Sequence, residues 1–180
     1  QSIVNSVTEL VQTSTTAENM IGNFKETMKI YRQGKEYYDR LRNVTHLVRD
    51  ARKVQQSILL VGELSDIYVT SYDKMLTDDN FSSAELSAIA AGYNKLMERG
   101  MNSLKDLKEI VNPTDYSMTD KERLDRIDQA HGELTHTRDL MVYYTRKNIS
   151  VSYLRSQRKN DTQRVLDLYG SPDEKYWWLW

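Results

Sequence analysis

Apolar residues in the first 75 positions return every seven residues, and that spacing constrains the fold more than any other feature. Ile3, Leu10, Ala17, Phe24, Tyr31 and Tyr38 form one series. Val7, Ile21 and Met28 fall four residues later in each repeat, with Ser14 and Lys35 as polar members. A second series runs through Val44, Ala51, Ile58, Ser65 and Tyr72, each followed at plus three by Leu47, Val54, Val61, Tyr68 and Met75. This 3/4 alternation lets a helix present a continuous seam to a neighbour. No proline interrupts this half, so no residue forces a stop. As one helix it would extend roughly 110 Å. The expected fold is therefore all-α: an elongated antiparallel bundle with long coiled-coil-like helices, built for contact with other proteins.

The two series do not join in phase. Continuing the first from Tyr38 reaches Arg42, whereas the second begins at Val44. With Gly34 nearby, two readings stand: a kink or short break between Gln33 and Asn43, or one curved helix with Leu41 and Val48 carrying the stripe across. Gly62 marks either a second weak point or a close approach of another helix.

Thr77-Asp78-Asp79-Asn80 is the first clear stop, because short polar side chains compete for backbone hydrogen bonds. Ser82 and Glu85 then form a capping box, with Phe81 and Leu86 at the staple positions. Leu86, Ile89, Ala90, Tyr93, Leu96, Met97, Leu104, Leu107 and Val111 line one face of the helix that follows, which ends at Asn112-Pro113-Thr114-Asp115. This helix is too short to cover the whole first-half seam, so a last helix, a second copy or another partner must cover the remainder. Thr119 and Glu122 make a second capping box. From there a last helix is expected to run to Tyr169, with Leu124, Ile127, His131, Leu134, Arg138 and Met141 on one face, Gly170 as its cap and Pro172 beyond. Met141, Val142, Tyr143 and Tyr144 point to every side, as do Ile149, Val151, Tyr153 and Leu154, which predicts packing on more than one side. The expected organisation is one helical domain over 1–169 and an aromatic tail over 170–180.

Composition narrows the function. The chain has 180 residues, seven glycines, two prolines and no cysteine, with a formal net charge of −1. Thiol chemistry, disulfides and cysteine-type zinc sites are excluded. A near-neutral chain gives no general attraction to nucleic acid or anionic membranes. No apolar run has the length of a membrane span. No phosphate loop, nucleophile elbow or His-Glu-x-x-His motif occurs. His131 and Asp128 are too few to hold a metal, and Asp78-Asp79-Asn80 lacks the spacing and glycine of a calcium loop. No catalytic residue, cofactor, metal or small-molecule substrate is therefore expected. Asn43, Asn80, Asn148 and Asn160 begin glycosylation sequons, which are read as chance.

Seven basic residues (Arg138, Arg146, Lys147, Arg155, Arg158, Lys159, Arg164) stand between positions 138 and 164 against Asp139 and Asp161. They suggest an acidic or nucleic-acid partner. At 100° per residue they spread around the helix without forming a stripe, which favours a solvated helix whose charge suits its C-terminal end. The acidic stretch Glu63–Glu85 is their expected neighbour within the fold. Candidate partner-contact residues are Tyr143, Tyr144, Arg155, Arg158, Trp177, Trp178 and Trp180.

Several blocks resemble a known family: Gln1-Ser2-Ile3-Val4-Asn5-Ser6, Val61-Gly62-Glu63-Leu64-Ser65-Asp66-Ile67-Tyr68-Val69, Ser117-Met118-Thr119-Asp120-Lys121-Glu122-Arg123, the segment Tyr143-Tyr144-Thr145-Arg146-Lys147-Asn148 continuing to Arg155, and Leu168-Tyr169-Gly170-Ser171-Pro172. They look like the TraI family of Bacteroides-type conjugative transposons, which is distinct from the relaxase that shares the name. That family is similar, more loosely, to TrbJ and to minor pilus subunits of type IV secretion systems. The resemblance covers nearly the whole chain. It implies export after removal of a signal peptide, a periplasmic or cell-surface location, and a structural part in the conjugation apparatus, with no catalytic residues to carry over. Implied partners are other subunits of that apparatus or a second copy. The alternative is a nucleic-acid-binding accessory factor of conjugal transfer using helix 138–164.

Overall fold

The computed structural model describes residues 49–111 and 118–170. These residues form four helices: α1 (Arg49–Leu76), α2 (Ser83–Val111), α3 (Asp120–Arg158) and α4 (Thr162–Tyr169). The fold is all-α, with no strand among the described residues. The first heptad series, the Gln33–Asn43 break, the Asn112–Asp115 stop and the aromatic tail lie outside them.

The long-range polar contacts reveal the topology. Lys53 pairs with Asp128, Glu63 with Arg138, and Asp78 with Ser152. The near-constant offset of about 75 residues means that α1 and α3 run parallel and in register. Glu85 meets Arg155, Ile89 meets Tyr144, Tyr93 meets Thr145 and Ser103 meets Glu133. Here the sum of the two positions stays nearly constant, so α2 runs antiparallel to α3. The three long helices touch pairwise, and α4 folds back on α3.

From Val54 onward the second heptad series forms the α1 seam as expected, while Val44, Leu47 and the Ala51 side chain lie outside what the structure describes. Val61, Ser65, Tyr68, Tyr72 and Met75 are buried, while Ile58 is partly buried against the same cluster. The helix continues through Gly62, which is itself buried. It ends in a tight turn: the Thr77 and Asp78 amides donate to the Lys74 and Met75 carbonyls. Both expected capping boxes are present. The Ser82 amide donates to Glu85 while the Glu85 amide donates back to Ser82 Oγ, and Thr119 and Glu122 repeat the arrangement. Phe81 is buried and Leu86 packs against the core. Within the described residues α1 and α2 have nearly equal lengths, 28 and 29 residues. The described part of the seam is therefore covered by α2 and α3 together.

Three expectations about the last helix need correction. It does not continue to Tyr169. It stops at Arg158, and Asn160 adopts a left-handed conformation with φ 54°. The Asp161 amide donates to the Ser156 carbonyl and the Asn160 amide to that of Gln157. This is a Schellman ending with asparagine where glycine is usual. Gly170 does terminate α4 with a positive φ of 88°, and its amide donates to Leu166. Leu124, expected on the inner face, is 36% exposed. Packing of α3 is also more one-sided than its four consecutive apolar residues imply. Met141 and Val142 are buried, yet Tyr143 is 60% exposed.

The buried seam of α3 runs Ile127, Ala130, Leu134, Thr137, Met141, Thr145, Ile149, Ser152 and Ser156. Nearly half of these residues carry hydroxyls. Thr137 and Thr145 donate to carbonyls four residues back on their own helix, which satisfies them without an outside partner.

Four tyrosines fill the middle of the bundle. The Tyr68 and Tyr93 rings stack with centroids 4.7 Å apart, and Tyr144 meets Tyr93 edge-on at 5.0 Å. Each hydroxyl of Tyr72, Tyr93 and Tyr144 has a partner: the Leu86 carbonyl, Thr145 Oγ1 and the Ile89 carbonyl. Burial raises the pKa of all four phenols, so they stay neutral.

Gly92 makes room for this cluster. A Cβ there would stand 2.2 Å from Tyr144 Oη and 2.5 Å from its Cζ. Gly92→Ala should therefore destabilise the protein by about 1–2 kcal/mol, because overpacking outweighs alanine's helix preference. At Gly132 an added Cβ meets nothing within 4 Å, and Gly132→Ala should stabilise by about 1 kcal/mol. Opposite shifts in thermal melts check the pair; equal shifts would contradict this packing.

Candidate functional site

The turn Thr77–Ser82 locks the C-terminal end of α3 and all of α4 onto the bundle. Asp78 is its centre, with a side chain fully removed from solvent. Its Oδ2 accepts hydrogen bonds from Ser152 Oγ at 2.5 Å and Tyr169 Oη at 2.7 Å. Its Oδ1 accepts from the Asn80 amide at 3.0 Å and lies 3.6 Å from Arg164. The Asn80 side-chain amide donates to the carbonyl and hydroxyl of Ser152, and its Oδ1 accepts from Lys159. Arg155 reaches the Asn80 carbonyl at 2.6 Å and both Glu85 oxygens at 2.9 and 2.5 Å. The acidic stretch of α1 and its turn does face the basic segment, through Glu63–Arg138, Asp78–Arg164 and Glu85–Arg155.

Glu85 titrates at about 2, held there chiefly by its Arg155 hydrogen bonds and next by the Ser82 amide. Its folded pKa lies below the ordinary value of 4.5. The pair's contribution is therefore complete above the ordinary value and disappears as pH falls through the folded one. Glu85→Gln should lower the melting temperature near neutral pH, and the gap from wild type should close at about pH 2. Melts at both pH values check this; a gap that persists in acid would assign the effect to something other than the carboxylate.

The opposite side of α3 is unlike the rest of the surface. Tyr143, Lys147, Val151 and Leu154 follow one another at intervals of four, four and three residues, so they share a face. Tyr143 and Leu154 are 60% and 59% exposed and Val151 is 40% exposed. Lys147 Nζ sits 5.5 Å over the Tyr143 ring, a cation–π contact that holds positive charge beside the apolar groups. Arg158, also exposed, extends the same face by one turn. Between Leu140 and Arg158 the helix carries four basic residues and no acidic one. This basic, apolar stripe is the candidate functional site.

The structure divides the expected contact residues. Tyr143 and Arg158 lie on the stripe. Tyr144 is turned inward and hydrogen-bonded to Ile89, and Arg155 is occupied by Glu85 and Asn80. Trp177, Trp178 and Trp180 lie outside the described residues. Lys147, Val151 and Leu154 were not singled out as contacts. Their signal was the 4/4/3 spacing from Tyr143, hidden because the inner seam of α3 uses hydroxyl residues and so looks no more apolar than the outer face.

His131 is partly buried beside Lys53 and Asp128, and its pKa is lowered first by burial and then by Lys53. Among the described residues no group of three or more His, Cys, Asp or Glu side chains is arranged to hold a metal. Asn80 is 5% exposed with its amide committed to Ser152, which leaves no room for a glycan. No described helix is long and apolar enough to cross a membrane. No protein-family model, curated protein or solved structure matches the chain.

Proposed function

We propose that this chain is a non-enzymatic helical subunit that works through protein–protein contacts, with the outer face of α3 as a contact surface. The observation that carries this reading is the Tyr143–Leu154 stripe, whose three large apolar side chains are exposed and covered by no other described helix, whereas the opposite face of the same helix is packed. Exposing such groups together on a rigid element favours association. The resemblance of the sequence blocks to the TraI family supports a more specific setting: an exported, elongated structural component of a conjugative type IV secretion apparatus, periplasmic or on the cell surface. Its partners would be other subunits of that apparatus or a second copy.

The nucleic-acid reading has less in its favour. Arg138, Arg155, Lys159 and Arg164 each engage a carboxylate or carbonyl of the bundle itself, which reduces the charge available to phosphates.

Deleting the gene from a donor cell should abolish transfer of its mobile element. Complementation with Tyr143→Ser/Leu154→Ser should fail to restore transfer, although the variant protein accumulates and melts like wild type. Unchanged transfer in the deletion strain would refute the conjugation role. Full complementation by the double variant would refute the stripe as the contact surface.

A further inference from the structure

We propose that the stripe on α3 is the docking site of the chain's own tail, Asp173–Trp180, in the same molecule. Three observations converge on this occupant.

The first is position. α4 turns back along α3 at Asn160, and its last residue is pinned: Tyr169 Oη and Ser152 Oγ meet on one Asp78 oxygen. Gly170 therefore leaves the bundle level with Ser152, between Val151 and Leu154 along the helix. Its positive φ breaks α4, and Pro172 two residues on disfavours renewed helix.

The second is reach. Ser152 faces inward, so the tail must pass around α3, at most roughly 17 Å for a half-turn around a helix of this width. Seven extended residues from Gly170 to Trp177 span roughly 23 Å. The apolar and basic end of the stripe, from Leu154 through Val151 to Lys147, is about 11 Å long, and the slack of the first seven residues with the roughly 10 Å added by Trp178, Leu179 and Trp180 reaches along it.

The third is chemistry. The tail reads Asp173-Glu174-Lys175-Tyr176-Trp177-Trp178-Leu179-Trp180, an acidic pair followed by a dense aromatic run. The stripe offers Arg158 and Lys147 beside Leu154, Val151 and Tyr143. A chain passing from the Leu154 end toward Tyr143 brings the acidic pair past the basic end first and then lays the indoles on the apolar groups. Lys147 is already engaged with one aromatic face. A partner that uses this face meets it occupied and must displace the tail.

All three tryptophans of the protein lie in the tail, so the emission of the full-length chain reports on it directly. Native protein should emit to the blue of the urea-unfolded chain and resist acrylamide quenching. Val151→Ser/Leu154→Ser should move the emission to that of the unfolded chain and raise quenching severalfold, with far-ultraviolet helicity unchanged. Lys147→Glu/Arg158→Glu should act in the same direction, and Asp173→Lys/Glu174→Lys placed on top of it should reverse the effect. If the serine pair loses helicity, the charge reversal and its rescue decide. The proposal is overturned if native emission already matches that of the unfolded chain, or stays blue in both stripe variants. A blue shift that disappears on dilution would also overturn it, by assigning the tail to a second copy. The measurement needs no partner, so its failure is separate from that of a conjugation role.

Discussion

Asp78→Ala should be among the most damaging single changes in the described residues, lowering stability by about 3–5 kcal/mol. The carboxylate is wholly buried and gathers a serine hydroxyl, a phenol, a backbone amide and a guanidinium. Removing it leaves the Tyr169 hydroxyl and Asn80 amide in the interior without their acceptor, at about 1–3 kcal/mol for each buried polar group. Arg164 suffers less, because it is partly exposed and keeps Asp161 at 2.6 Å. Asp78→Asn should cost less than alanine, since the side-chain amide still offers one acceptor and the hydroxyls can rotate to accept from its NH2. Asp79→Ala, one position away and exposed, should stay within about 0.5 kcal/mol. Urea denaturation of the three variants checks the order. The damage should be local at first, with the amides of Thr162–Tyr169 exchanging faster once Tyr169 loses its anchor. Equal effects of Asp78→Ala and Asp79→Ala would show that this corner does not hold the fold.

Tyr93→Ala should cost a similar amount, about 3–5 kcal/mol. Tyr93 is completely buried, stacks on Tyr68, meets the edges of Tyr72 and Tyr144, and bridges to α3 through Thr145. Its loss opens a cavity where all three long helices meet, and the surrounding rings are themselves tied by hydrogen bonds and cannot collapse freely. Tyr93→Phe keeps the ring and removes only the hydroxyl. Thr145 retains its bond to the Met141 carbonyl, so that variant should lose only about 1 kcal/mol. A large gap between alanine and phenylalanine in thermal melts assigns the tyrosine core to packing. Equal losses would assign it to the Tyr93–Thr145 bond instead.

The local signals in this chain were readable wherever one short segment contained all the chemistry that decides it. The Ser82–Glu85 and Thr119–Glu122 boxes are complete within four residues each, and both formed. The Thr77–Asn80 stop and Gly170 terminus are likewise local. Asn160 was missed although Asn160-Asp161-Thr162 is a short polar run of the same kind as Thr77–Asn80; asparagine enters the left-handed region less often than glycine, and the run holds three such residues rather than four. The Schellman bonds that hold it are made by backbone groups of Ser156 and Gln157, which carry no sequence signal.

The site was half legible for a related reason. Tyr143 and Leu154 announced themselves only as apolar letters in a helix apolar on several sides. Letters alone do not say which of two adjacent tyrosines faces in. Tyr144 does, because Gly92 on α2 leaves space for it and the Ile89 carbonyl accepts its hydroxyl; Tyr143, one residue earlier, is rotated by about 100° onto the outer face, where Lys147 of its own helix lies over its ring.

Sequence by itself determined the helical class, the α1 seam, both capping boxes and the attraction between the acidic and basic stretches, because periodicity, capping and charge act over a few residues or through net sign. Tertiary structure alone decided the partners within that attraction: Glu63 with Arg138, Glu85 with Arg155, and Asp78 with the Ser152–Tyr169–Arg164 group. It also decided which face of α3 meets the bundle. Those choices depend on the parallel register of α1 against α3, which is not fixed until three helices pack at once, and on an α3 seam of hydroxyl residues that looks polar in sequence although Thr137 and Thr145 are satisfied by their own helix and Ser152 by Asp78.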